Sequence, residues 1–399
     1  MPASCACSRR PEMADRPDIR ALVPRAASAQ ISRRALLSGF IVVGATSVLA
    51  ACSKSTGFAP SKLPDGVMEN HLNVYSWGDY DDPANIAAFQ KTGTSVQFDS
   101  FGSNEELIAK LGATRGTSGY DVIVPTGSYI PIMSENGLLE KLDHSRLKNL
   151  GNVDPLYLDQ SWDPGNTYSV CKDWGTTGFA YDTRAIPGEL TSWADFLEAA
   201  TGTASGDVSL LEDPWEVASI YFAANGIDPN TTKKADLAAA DEYLVNTLAP
   251  HVKAFNSTAV TSGIPEETFT LMQAFNGDAR QGMLASDDPD SWRFVYPTPT
   301  ANLWMDTWAI AKGAQNMDAA YAFIDYMLEP EVSYREVDYI GYSTGVTGIE
   351  ELAKENEFDF PELVFPAADV IERLTPAELN DAAGQLVKTL NRMMAKAGS

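Results

Sequence analysis

Three places in the chain put a carboxylate within a few positions of an aromatic ring. They are Trp77/Asp79/Tyr80 in VYSWGDYDDP, Asp213/Trp215/Glu216 in DPWE, and Trp304/Asp306/Trp308 in LWMDTWAI. That pairing suits an alkyl ammonium ligand. Each charged end needs a carboxylate, because an unpaired buried charge costs several kcal/mol. The methylene stem needs an apolar wall. An aromatic face supplies the wall and attracts the cation, worth roughly 0.5–2 kcal/mol per contact. Carboxylates spaced along a cleft would then measure the distance between ligand nitrogens.

Each piece also has a structural reading. Asp213-Pro214 with Glu216 is a good helix start, with an N-cap Asp, proline at the first position and Glu three residues on. Asp79, Asp81 and Asp82 read as a solvated turn before Pro83. Asp287 and Asp288 lie in Ala-Ser-Asp-Asp-Pro, again turn-like. Asp306 differs: it sits in the apolar run Leu303-Trp-Met-Asp-Thr-Trp-Ala-Ile310, where a carboxylate is costly. The chain has no phosphate-binding glycine loop, zinc spacing or Gly-x-Ser-x-Gly elbow. His71, His144 and His251 lie too far apart in sequence to suggest a histidine metal site. No cofactor is expected.

The elements needed to position these residues alternate between strand and helix. Leu72–Ser76 and Val96–Phe98 read as strands, with a helix from Pro83 to Lys91 between them. Ser103-Asn-Glu-Glu106 reads as a capping box. Asp121-Val-Ile-Val-Pro125 suits a buried parallel strand. A helix is expected from Ser192, and a strand over Val208–Leu211 feeding the helix at Asp213. Another helix is expected over Leu237–Leu248, then a strand over Trp304–Ala311. A helix over Ala319–Leu328 is expected to stop at Pro330. Thr375-Pro-Ala-Glu378 reads as the cap of a last helix with Leu379, Ala383, Leu386, Leu390 and Met393 on one face. This alternation argues for an α/β protein with mainly parallel sheets, in which ligands sit beyond the carboxyl ends of the strands. Trp77–Tyr80, Thr126–Tyr129 and Asp213–Glu216 each follow directly after an expected strand.

At 399 residues the chain exceeds what one compact core usually holds, so two lobes are expected. Its beginning reads as an export signal. A twin-arginine start, Ser32-Arg-Arg-Ala-Leu-Leu37, leads into an uncharged apolar run from Ala35 to Ala51, about one turn short of a comfortable membrane span. The run ends in Leu49-Ala-Ala-Cys52, which resembles a bacterial lipobox and implies cleavage before Cys52 and lipidation of its thiol. Residues 53–70 read as a tether. Residues 1–51 hold seven of the 29 basic and three of the 54 acidic residues, so the remainder carries 22 against 51, a net charge of −29. Such a surface repels nucleic acid and anionic lipid and draws in cations; it also serves solubility or salt tolerance. Of the four cysteines, Cys5 and Cys7 fall in the signal, and with Cys52 lipidated Cys171 has no disulfide partner.

The segments NVYSWGDYDDP, SNEELIAKL, YDVIVPTGSYI, TSWADF, DPWEVA, LWMDTWAIAKGAQN and IGYSTG together resemble the polyamine-binding proteins of bacterial spermidine/putrescine ABC transporters. The resemblance covers residues 72–399. It implies a two-lobed periplasmic-binding-protein fold of type II. Each lobe would be a mainly parallel sheet flanked by helices, with hinge crossovers between them: residues 71–179 and 305–350 in one, 180–304 and 351–399 in the other. It implies that Trp77, Asp79 and Tyr80 line the cleft, and that Thr126 stands where relatives carry a small hydroxyl residue. Asp213 and Glu216 match acidic contacts, Trp304 and Asp306 an aromatic and a carboxylate holding one amine, and Tyr342 a further wall. On this reading Asp306 and Asp213 hold opposite parts of the ligand, Trp304 and Trp77 sandwich its stem, and Asp81 and Asp82 form the solvated turn alongside.

Two positions depart from the pattern. Ser128 replaces an aromatic, and Ala285 stands where a tryptophan is expected, with Asp287 or Asp288 in the register of an acidic contact of putrescine binders. A last polar contact near Glu378 has no fixed register. The expectation is a lipid-anchored, extracytoplasmic, monomeric binding protein that serves ABC permease subunits, performs no reaction and binds no nucleic acid. Alternatives are the same fold taking an opine, another amino compound or a sugar; a sensor subunit; or a secreted glycan hydrolase using paired carboxylates.

Overall fold

The computed structural model describes residues 60–114 and 118–397. The export-signal and Cys52 readings lie outside them. Ten strands form one continuous sheet: β1 (His71–Trp77), β2 (Ser95–Phe101), β3 (Val122–Ile123), β4 (Ser169–Asp182), β5 (Val208–Leu210), β6 (Val252–Phe255), β7 (Leu271–Phe275), β8 (Trp292–Val295), β9 (Asn302–Ile310) and β10 (Thr375–Pro376). The order is β2-β1-β3-β9-β4-β7-β5-β6, with β8 added on β4 and β10 on β9.

Two parallel trios flank a central antiparallel pair. β2-β1-β3 are parallel and meet β9 antiparallel; β6-β5-β7 are parallel and meet β4 antiparallel. The order second-first-third is repeated in each trio, so the sheet is two similar α/β lobes. Long β4 and β9 run side by side between them, paired from Ser169↔Ala309 to Thr177↔Asn302.

The inner strands β3, β5 and β7 are covered on both faces, whereas the edge strands β2 and β6 are partly exposed. Val74 and Val122 enter a core with Phe89, Trp308 and Phe323, while Tyr75 and Ile123 enter another with Leu107, Ile130 and Met133. In the second lobe Leu271 joins Phe179, Trp193, Phe196 and Phe222, and Met272 joins Val260, Ile264 and Trp292.

Local sequence chemistry explains several helix starts. Ser103 caps Asn104–Ala113 by accepting from the Glu106 N–H, and Glu106 turns back to the Gly102 N–H rather than to Ser103. Ser192 and Asp195 form a full capping box. Asp213 accepts from the Trp215 and Glu216 N–H groups at the start of Pro214–Ala224.

Three expectations need correction. Pro330 does not merely stop a helix; it is the first residue of the next, Pro330–Ile340, because proline lacks an N–H that a first turn would leave unpaired anyway. The region from 237 to 248 is α-helical from Lys234 only to Tyr243 and continues as a π-helical stretch, Leu244–Leu248. Thr375-Pro376 caps no helix. It pairs with β9, and the last helix starts at Ala383. Leu386, Leu390 and Met393 are buried on that helix as expected, whereas Leu379 and Ala383 are exposed.

Candidate functional site

The floor of the site is the β4–β9 pair. Side chains alternate across a strand, so Asn302, Trp304, Asp306 and Trp308 share one face of β9. Opposite them on β4 stand Thr177, Gly175, Asp173 and Val170. The first and third β9 residues lie four positions apart, roughly 13 Å along the strand. One face therefore presents a polar pole, an aromatic and a second polar pole in that order.

At one pole Asp306 is 6% exposed and accepts from the Thr126 hydroxyl at 2.6 Å. Thr126 is held by Asn104 in a reciprocal pair, its N–H on the Asn104 Oδ1 and its hydroxyl taking the Asn104 amide, both at 3.0 Å. Asp173 faces Asp306 across the ladder and accepts from the Tyr80 hydroxyl at 2.6 Å. Burial, then the neighbouring Asp173 charge, pushes the Asp306 carboxyl up to about 7.

At the other pole Glu216 is fully enclosed. Its Oε1 accepts from Thr177 at 2.8 Å and from the Asn302 amide at 2.5 Å. Its Oε2 and the Asn302 Oδ1 are buried with no donor. Burial, with the charge of nearby Asp213, lifts the Glu216 carboxyl to about 8. Once Glu216 is ionised, both acceptors are left for a donor to meet.

Between the poles Trp304 meets the Tyr342 ring edge-on at 4.7 Å and the Phe275 ring at 5.8 Å. Tyr342 lies 6.3 Å from Tyr80 and donates to Asp278 at 2.6 Å, and burial lifts Asp278 to about 6. Gly175 makes room for this aromatic wall, since a Cβ there would overlap the Trp304 ring and stand 2.7 Å from the Asn276 Oδ1.

The structure thus brings Tyr80, Thr126, Asp306, Trp304 and Tyr342 together, with Glu216 joined through Asn302. Trp77 ends β1 beside them, its ring 4.5 Å from Phe101 and its indole N–H buried without an acceptor. Asp213 lies exposed at the rim as the helix cap, and Ser128 is half-buried in the short turn after Thr126. Asp79 is exposed with φ 54, in the left-handed region. Asp287 and Asp288 are exposed in a turn, where Asp288 pairs with Arg184 at 3.4 Å and Ser291 at 2.5 Å, and Ala285 is exposed beside them. Glu378 is exposed, its N–H on Asn230. Trp215 turns into the core and also donates to Asn230.

Asp81 and Asp82 are not a solvated turn. Asp81 is drawn inward by Lys172, 3.6 Å away, and by the Ser76 hydroxyl at 2.8 Å. Asp82 caps Pro83–Phe89, and its own N–H reaches Glu336. Sequence reasoning also missed Lys172, Asp173, Thr177, Asn302 and Asp278. The signal for Lys172 and Asp173 was present: two charges in YSVCKDWGTTGFAY, the anomaly that singles out Asp306. Asp278 lies in the first turn of the helix Asn276–Leu284 that follows β7, so an unread strand concealed it.

Residues 84–359 match the family described as bacterial extracellular solute-binding protein. The chain is 32% identical over 327 residues to spermidine/putrescine-binding periplasmic protein 1 of Haemophilus influenzae, covering 81% of this chain and 88% of that protein. It is 30% identical over 341 residues to the putrescine-binding periplasmic protein PotF of Escherichia coli, covering 82% and 91%. The crystal structure of the spermidine/putrescine ABC transporter substrate-binding protein PotD of Streptococcus pneumoniae superposes with a TM-score of 0.72 at 29% identity, covering 82% and 100%.

Proposed function

The chain belongs to the family of bacterial extracellular solute-binding proteins, and from that premise we propose that it captures a polyamine, putrescine or spermidine, and delivers it to an ABC importer without transforming it. The observation that carries the reading is the strand face with Asp306 at one end, Glu216 and Asn302 at the other, and Trp304 between. The unmet acceptors at Glu216 and Asn302 suit an ammonium donor. Trp304 supplies the wall for the methylenes. Asp278, beside Tyr342, is a further carboxylate within reach of that wall. Asp213 adds negative charge at the rim. The lobes are taken to divide near residues 179, 304 and 350, with β4 and β9 as crossings between them. A thioether-linked lipid at Cys52 would hold the otherwise monomeric protein at the outer face of the membrane.

Calorimetric titration of residues 55–399 with putrescine, spermidine and spermine tests the reading, with native mass spectrometry of the freshly purified protein alongside. Saturable one-to-one binding of a di- or triamine is expected. No heat with any polyamine, together with a co-purified mass of another kind, would retain the binding fold and overturn the ligand. A second reading has one observation in its favour. The indole N–H groups of Trp77 and Trp304 are buried without acceptors, and an amino compound that also carries oxygen would supply them; the co-purified mass separates the two.

Gly175→Ala is expected to weaken amine binding by about tenfold or more, because Trp304 must leave its place. Overpacking there costs about 1–3 kcal/mol of stability, read as a lower thermal midpoint. Unchanged binding would detach Trp304 from the ligand wall.

A further inference from the structure

The β4–β9 ladder carries one irregularity, and it lies beside Asp306. The register shifts between Cys171, opposite Thr307, and Asp173, opposite Asp306, so Lys172 is the extra residue of a bulge. A bulge sets two residues against one and re-aims a side chain. Here it lets consecutive Lys172 and Asp173 point the same way. Lys172 is 4% exposed. Its ammonium donates to the Asp173 Oδ2 and to the Tyr80 carbonyl, both at 2.8 Å, and stands 3.6 Å from the Asp81 Oδ1. It lies 4.2 Å from the centre of the Tyr80 ring and 5.2 Å from that of Trp308. Glu336 adds a third charged neighbour from the helix Pro330–Ile340. Burial alone would depress a lysine, yet these carboxylates outweigh it and hold Lys172 charged.

This is the environment argued for a ligand ammonium: carboxylates around it, an aromatic face under it, and little exposure to solvent. The chain fills it with its own side chain. We propose that Lys172 is a tethered ammonium occupying one cation position of the site, taking up Asp173 and Asp81 so that Asp306 and Glu216 are left to the ligand, and thereby limiting how many ammonium groups the ligand carries. The inference rests on the polyamine reading and names the residue that sets its charge selectivity.

The test compares 1,4-diaminobutane, spermidine and spermine by titration against wild type, Lys172→Met, Asp173→Asn and the double variant. Methionine keeps the apolar stem against Tyr80 and Trp308 while removing the charge. Lys172→Met is expected to shift the affinity ratio toward the more highly charged amines by about tenfold, the worth of one charge-assisted contact. Asp173→Asn leaves the Lys172 charge undercompensated beside Asp306 and is expected to weaken all three amines. The double variant liberates only Asp81, whose Oδ2 is held by the Ser76 hydroxyl, and is expected to fall back toward the wild-type ratio. A merely structural pair would weaken every amine in both single variants together. That outcome, an unchanged ratio in Lys172→Met, or a double variant shifted as far as Lys172→Met, overturns the proposal. Should Lys172→Met fail to fold, Lys172→Gln, which keeps a donor beside Asp173 while removing the charge, is expected to show the same shift, and an unchanged ratio there overturns the proposal. Absence of amine binding by wild type overturns the functional reading and this inference with it, whereas binding with an unchanged ratio overturns this inference alone.

Discussion

Asp306→Asn weakens polyamine binding by about ten- to a hundredfold, since a hydrogen bond to a charged group is worth roughly 1.5–3 kcal/mol. The substitution keeps the shape and the bond to Thr126 within reach, because an amide oxygen still accepts that hydroxyl. What it removes is the charge. Asp306 stands opposite Asp173 in a site where both carboxyls are pushed upward by burial. Without ligand, that pairing is a cost. The same variant is therefore expected to have an unchanged or higher thermal midpoint when empty, while losing most of the stabilisation that added polyamine gives wild type. Titration and ligand-dependent melting read the two effects separately. Unaltered affinity would remove Asp306 from the ligand site; lost affinity with a lower empty midpoint would point to a folding role instead.

Sequence made the strand-end rule visible, and with it half the site. Trp77, Tyr80 and Glu216 were singled out because each pairs ring and carboxylate just after an expected strand, whereas Thr126 was assigned by the family resemblance. Asp306 was found because a carboxylate in an apolar run is expensive. What escaped detection shares a different cause. β4 is fourteen residues, all buried, yet its sequence SVCKDWGTTGFAYD mixes small, polar and charged residues. It does so because it lies at the boundary between two lobes and forms the floor of the site, so its side chains answer to the site rather than to a core. Neither alternation nor an apolar run marks it, and Lys172 and Asp173 were missed with it. The turn at Asp79–Asp82 was misjudged for the same reason. Polar residues beside proline look solvated until a buried cation is known to face them, and that cation comes from 90 residues further along the chain.

The site's carboxyls also make binding depend on pH, and the sign is fixed by where their pKa values lie. Asp306 and Glu216 are raised to about 7 and about 8, from ordinary values of 3.8 and 4.5. In the empty protein each is stabilised as the neutral acid. A ligand ammonium stays charged until near pH 10 and pairs only with the ionised form. Below the raised pKa, binding must expel a proton, and affinity falls by about tenfold per pH unit for each such group. Between about pH 8.5 and 6 the two together are expected to lower affinity by on the order of a hundredfold or more. Titration near pH 7 in two buffers of different ionisation enthalpy is expected to show protons released on binding. The empty protein behaves in the complementary way. A carboxyl whose folded pKa is raised contributes stability that is complete below its unfolded value and lost as pH rises through the folded one, here from about 4 to about 8. Empty protein is thus expected to lose stability across that window while the ligand-induced rise in thermal midpoint grows. Affinity independent of pH from about 6 to 8.5, with no proton released, would mean that neither carboxyl meets the ligand's charge.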